Sequence, residues 1–212
     1  MVNNKHIRWL KVLAFLASLI PLGRLVWKGF AGMLGANPIE VITRSTGTWT
    51  LVFLLITLSV TPLRKLAGVP WLIRFRRMAG LFAFFYGSLH FTTYVWLDQF
   101  FDWPGIVADI GKRPFVTAGF TAFVLMLPLA LTSTQGWIRR LGGKRWQAVH
   151  RLIYASAIAG VLHYWWLVKA DVRQPLVYGA VLAALLGYRV LKLLEGVRVR
   201  SASPREEASV GD

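Results

Sequence analysis

The chain has 212 residues, of which 56% are hydrophobic and 16% charged, and 25 Lys and Arg against 9 Asp and Glu give a net charge of +16. Several apolar runs reach the ~20 residues needed to cross about 30 Å of hydrocarbon, which argues against a soluble enzyme. The basic residues punctuate the ends of those runs instead of forming one face, which excludes a nucleic-acid binder. The absence of cysteine excludes disulfides, iron–sulfur clusters, thiol chemistry and covalently attached c-type haem.

Taken in order, the chain predicts six membrane-spanning helices. A short basic start to Lys11 leads into a first run, Trp9 to Phe30, interrupted by Pro21, Gly23, Arg24 and Lys28. A signal peptide is the competing reading of this start, but the apolar part is long and no clean small-residue cleavage site follows. A loop from Gly29 to Thr46 precedes the second run, Gly47 to Leu63, which is closed by Pro62, Arg64 and Lys65. A basic loop with Arg74, Arg76 and Arg77 leads to the third run, Met78 to Leu97, which holds His90. A loop with Asp98, Asp102, Pro104 and Asp109 follows. The fourth run is Pro114 to Thr134, with Pro114 well placed for a helix start. A basic turn (Arg139, Arg140, Lys144, Arg145) leads to the fifth run, Trp146 to Val168, with His150 and His163. The sixth run is Gln174 to Leu194. The sequence thus divides into a transmembrane domain, 1–195, and a polar tail, 196–212, expected to be disordered and cytoplasmic.

Six spans put both termini on one side. The termini, the loop near residue 70 and the turn near residue 140 hold 18 of the 25 cations, and the other loops hold 7 with 5 of the 9 acids. The positive-inside rule places both termini in the cytoplasm. No internal repeat is visible. Tryptophans gather near span ends (Trp27, Trp71, Trp96, Trp103, Trp137, Trp146, Trp165, Trp166), as interfacial belts do.

A histidine inside a hydrocarbon-length run is a functional candidate, because its polar ring needs a partner there. His90 lies 13 residues after Arg77, and His163 lies 13 residues after His150, both on runs heading outward. At 1.5 Å per residue each sits about 20 Å from the cytoplasmic boundary. Two imidazoles at matched depth on different helices can clamp one haem iron from both faces, an arrangement suited to electron transfer. His150 lies near the cytoplasmic face, where its counterpart by depth is Arg77, and arginine does not ligate iron. It is expected either to ligate a second haem or to hydrogen-bond at the interface. The cations Arg74, Arg77 and Arg151, within the wider cytoplasmic patch, suit anionic lipid, haem propionates or a flavin phosphate.

Several stretches together carry a family resemblance: L-G-A-N-P-I-E and G-T-W-T-L within 34–51, T-P-L-R at 61–64, I-R-F-R-R-M-A-G-L at 73–81 and S-L-H-F-T-T-Y at 88–94. R-P-F-V-T-A-G at 113–119, L-T-S-T-Q at 131–135, W-Q-A-V-H-R-L-I-Y at 146–154 and H-Y-W-W at 163–166 complete the set. In these the chain resembles the ferric-reductase-like transmembrane domain family, and within it the haem-binding membrane subunits of periplasmic methionine sulfoxide reductase systems. The resemblance implies an all-α, six-helix bundle with b-type haem, one or two, held by His90, His150 and His163. It also implies FMN as a further cofactor, and electrons taken from quinone or a cytosolic flavin reductase. Their destination would be a periplasmic molybdopterin-containing subunit that reduces methionine sulfoxide in oxidised proteins. The chain has no dinucleotide fingerprint and ends 18 residues after the sixth run, so electrons are expected to arrive from another molecule. A stand-alone ferric or cytochrome-type membrane reductase is one alternative function. A histidine-dependent metal transporter is another, although His150 lies about 20 Å from the other two rings.

Overall fold

The computed structural model describes residues 3–168 and 170–202, with side chains to residue 196 apart from that of residue 169. Eight α-helices and no strand occur among the described residues. They are α1 (Asn4–Phe30), α2 (Pro38–Leu66), α3 (Ile73–Thr93), α4 (Trp103–Lys112), α5 (Pro114–Leu131), α6 (Gln135–His150), α7 (Leu152–Leu167) and α8 (Arg173–Ala202). Four of these are long and apolar enough to cross a membrane: α1, α2, α5 and the Arg173–Gly196 part of α8. The two histidine-bearing runs do not reach that measure. α3 opens with Arg74, Arg76 and Arg77, and α7 has only 16 residues, about 24 Å.

Local chemistry explains where helices begin. Asn37 caps α2 by accepting from the Glu40 N–H at 3.2 Å, and Pro38 follows at the first helical position. The helix therefore starts nine residues before the apolar run does. Asp102 caps α4 in the same way, through the Gly105 N–H, so part of the expected outer loop is helical. The expected basic turn near residue 140 is also helical. α6 runs through it, bent at Gly142, whose φ of 71° is left-handed backbone that glycine adopts without strain. The chain breaks at Arg151, so His150 closes α6 and His163 lies on a separate helix, α7. α8 continues to Ala202, into the stretch expected as a tail, and residues 203–212 lie outside the described residues.

α2 packs along α3, α5 packs along α7, and these two pairs close on each other. Their shared core is Phe53, Leu54, Leu58, Phe82, Ala83, Tyr86, Met126, Leu129, Ile153 and Ala157. α1 and α8 lie against the outside of this four-helix unit and expose apolar side chains such as Leu13, Leu16, Val181 and Leu191. Such faces belong in lipid, where water cannot solvate them favourably. Two hydroxyl bonds to carbonyls tie the elements together. Tyr86 donates to the Ser18 carbonyl of α1 at 2.7 Å, and fully buried Ser156 of α7 donates to the Ala122 carbonyl of α5 at 2.9 Å.

Proline and arginine make a further tie. Pro62 has no N–H, so the carbonyl four residues earlier, that of Leu58, loses its helical donor. Leu58 is fully buried, and an orphan carbonyl there costs roughly 1–3 kcal/mol. The Arg189 guanidinium of α8 supplies the missing donor: one Nη donates to the Leu58 carbonyl, the other to the Leu185 carbonyl, and Nε to the Tyr154 hydroxyl. The guanidinium also lies over the Tyr154 ring, 5.3 Å from its centroid. Arg189→Met is expected to lower stability in detergent by about 1–3 kcal/mol. In a Pro62→Ala background, where residue 62 regains its N–H, the same substitution should cost clearly less. Thermal unfolding of the four proteins measures this, and equal costs in both backgrounds would remove the proline–arginine coupling.

Candidate functional site

The two pairs of helices meet at His90 and His163. His90 lies in the last turn of α3 and His163 four residues before the end of α7. Their ring centroids are 5.9 Å apart with the planes inclined at 75°. Each ring is held by the partner helix of its own pair. His90 Nδ1 donates to the Thr43 carbonyl of α2 at 2.9 Å, with the Thr46 hydroxyl at 3.5 Å. His163 Nδ1 donates to the Phe115 carbonyl of α5 at 2.6 Å. A carbonyl oxygen only accepts, so in both rings Nδ1 carries the proton and Nε2 keeps its lone pair. In the neutral ring this is the tautomer whose Nε2 can ligate a metal.

These residues fit a haem. A bond of about 2.0 Å from metal to imidazole nitrogen places two opposed ring centroids about 6 Å apart, close to the observed separation. His90 and His163 would be the residues that hold such a haem, through its iron. A protein-only zinc site needs three or four side-chain ligands. Among the described residues no group of three His, Cys, Asp or Glu side chains comes together. Phe115 lies 6.4 Å from the His163 ring, and the stacked pair Phe91 and Phe123 lies on the same helices as the site, α3 and α5.

The other sequence candidates lie elsewhere. The His150 ring stacks on Trp146 at 3.8 Å, and its Nδ1 donates to the Trp146 carbonyl one turn back. Trp146 in turn donates its indole N–H to the Thr132 carbonyl at the end of α5. Arg74 reaches Asn4 of α1 at 2.9 Å, whereas Arg77 and Arg151 are exposed. Arg76 is more buried than Arg77. The partners that matter most at the site, the carbonyls of Thr43 and Phe115, were not readable, because any residue type carries one. Arg189 did leave a signal, since it is a cation inside the sixth apolar run and such residues need a partner.

Residues 45–161 match the protein family described as ferric reductase like transmembrane component. The chain is 57% identical over 183 residues to the protein-methionine-sulfoxide reductase heme-binding subunit MsrQ of Herminiimonas arsenicoxydans, covering 85% of this chain and 84% of that one. It is 52% identical over 200 residues to the MsrQ of Ralstonia nicotianae, covering 93% and 92%. It is 49% identical over 203 residues to that of Xanthomonas euvesicatoria pv. vesicatoria, covering 92% and 93%. No solved structure matches the chain.

Proposed function

The chain belongs to the ferric reductase like transmembrane component family, and on that premise we propose that it is a haem-binding electron-transfer subunit of a protein-methionine-sulfoxide reductase. The observation that carries this reading is the juxtaposition of His90 and His163, each with Nδ1 committed to a carbonyl and Nε2 left free. In this reading the two Nε2 atoms hold one haem b. When bound, haem with two imidazole ligands supplies a one-electron couple with no open position for oxygen. The residues around it do the rest. The Thr43 and Phe115 carbonyls fix ring orientation and raise ligand basicity, and the aromatic side chains of α3 and α5 keep water out.

Six helices, α1, α2, α3, α5, α7 and α8, cross the bacterial inner membrane with both termini in the cytoplasm. The clustering of cations at the chain ends and in the 64–77 and 139–151 segments supports this orientation. The histidine pair then lies in the outer half of the membrane, nearer the periplasm. Electrons enter from quinol or a cytosolic flavin reductase, and leave to a molybdopterin-containing periplasmic subunit that reduces methionine sulfoxide. His150 holds a separate site at the cytoplasmic end. The exposed guanidinium groups of Arg77 and Arg151, with Arg74 beside α1, pair with haem propionates or with the phosphate of FMN.

His90→Ala and His163→Ala are each expected to abolish the reduced-haem absorbance of the outer site while the protein still inserts. Unchanged spectra in both variants would defeat the axial-pair assignment. His150→Ala should leave the outer-site signal in place, and its complete loss would place His150 in the same site. Charge reversal at Arg77 should weaken cofactor retention or its reduction from the cytoplasmic side. A variant altered only in expression or topology would leave Arg77 as a topology and lipid contact.

A further inference from the structure

Each histidine-binding carbonyl is already engaged within its own helix, because carbonyl i of an α-helix accepts from the N–H of residue i+4. For Thr43 that residue is Gly47, and for Phe115 it is Gly119. The imidazole comes in as a second donor, to the other lone pair of the oxygen. A side chain at i+4 would stand over that approach. A Cβ built on Gly47 would lie 3.0 Å from His90 Cε1 and 3.1 Å from its Nδ1. One built on Gly119 would lie 2.7 Å from His163 Nδ1 and 2.9 Å from its Cε1. Ordinary carbon contacts begin near 3.5 Å, so neither position has room for a methyl group while the ring keeps its place.

Backbone conformation does not explain these glycines. Neither has the left-handed backbone that glycine favours, and glycine is a poorer helix former than alanine. The arrangement also occurs twice. From Thr43 to Phe115, and from Gly47 to Gly119, is 72 residues; from His90 to His163 is 73. Each pair of helices thus presents a carbonyl, a glycine one turn later, and a histidine from the helix packed against it.

We propose that Gly47 and Gly119 are positioning residues that bare the Thr43 and Phe115 carbonyls to the imidazoles, and so set the tautomer, plane and basicity of His90 and His163. Their effect on a haem rests on the function proposed above, but their effect on the rings does not. A ring that loses its Nδ1–H···O=C bond is a less basic ligand, which favours the reduced iron and raises the midpoint potential. The bond also holds the ring plane, and the g-values of a low-spin ferric haem report the angle between its two ligand planes.

The test uses purified full-length protein carrying Gly47→Ala, Gly119→Ala or, as a control, Gly160→Ala. The control lies on α7 three residues before His163, where an added methyl meets only Leu51 and Leu54 at 3.7 and 3.9 Å. Gly47→Ala is expected to keep its haem, with a raised potential and displaced g-values. Gly119→Ala, with the closer clash, should lose most of its haem, and Gly160→Ala should match the parent protein. Histidine ring ¹⁵N spectra of the haem-free protein read the tautomer directly. They should show fixed Nδ1–H in the parent and a mixture of tautomers in Gly47→Ala and Gly119→Ala. Parent-like potentials, g-values and ring spectra in both variants, or equal shifts in the control, would overturn the proposal. A parent protein that binds no haem would refute the functional reading, while the ring spectra would still decide the role of the glycines.

Discussion

Two hydrogen bonds from imidazole to backbone govern what this molecule can do. The Thr43 carbonyl holds His90 and the Phe115 carbonyl holds His163, and in each case the carbonyl belongs to the helix packed alongside. The bonds settle three matters together. They satisfy a polar ring in an apolar bundle, they fix which nitrogen carries the proton, and they leave the opposite nitrogens of both rings free. Packing brings the two pairs of helices together so that the ring centroids lie 5.9 Å apart. Function therefore follows from a constraint on stability, since a histidine without such a carbonyl would burden the fold.

The same rule operates through the rest of the bundle. Hydroxyls of Thr46, Thr50, Thr57, Ser88 and Thr93 bond back to carbonyls of their own helices, so these polar side chains can sit in an apolar setting. Tyr86 and Ser156 spend their hydroxyls on neighbouring helices and thereby fix α1 to α3 and α5 to α7. No fully buried side-chain nitrogen or oxygen lacks a partner among the described residues, and the two histidines with free Nε2 atoms are only partly buried. That accounting sets the geometry between helices that carry few directional contacts otherwise.

Much of this was legible in the sequence, and for physical reasons. An apolar run must be buried or face lipid, so the helical class and most helix positions could be read from composition. The 13-residue spacing from Arg77 to His90 does run along one helix, α3, whereas that from His150 to His163 crosses the break at Arg151. Three features were not legible. The extent of α6 escaped because a basic segment without apolar periodicity, carrying Gly136, Gly142 and Gly143, looks like a turn although it holds no proline. The role of the Thr43 and Phe115 carbonyls escaped because main-chain groups leave no residue signature. The recurrence of carbonyl, glycine and histidine escaped because only two side-chain identities repeat, at offsets of 72 and 73 residues. Three-dimensional pairing makes that sparse pattern visible.

The latch between Arg189 and the Leu58 carbonyl has a consequence for how the molecule is made. The two partners are 131 residues apart, and α2 emerges from the ribosome long before α8. At roughly 5–20 residues per second the delay is about 7–26 s. For that interval the carbonyl opposite Pro62 has no permanent donor from its own chain. It must be met by water, by the insertion machinery or by a transient neighbour. Docking of the last helix is thus the step that seals the interior, and biogenesis stays open to quality control until it occurs.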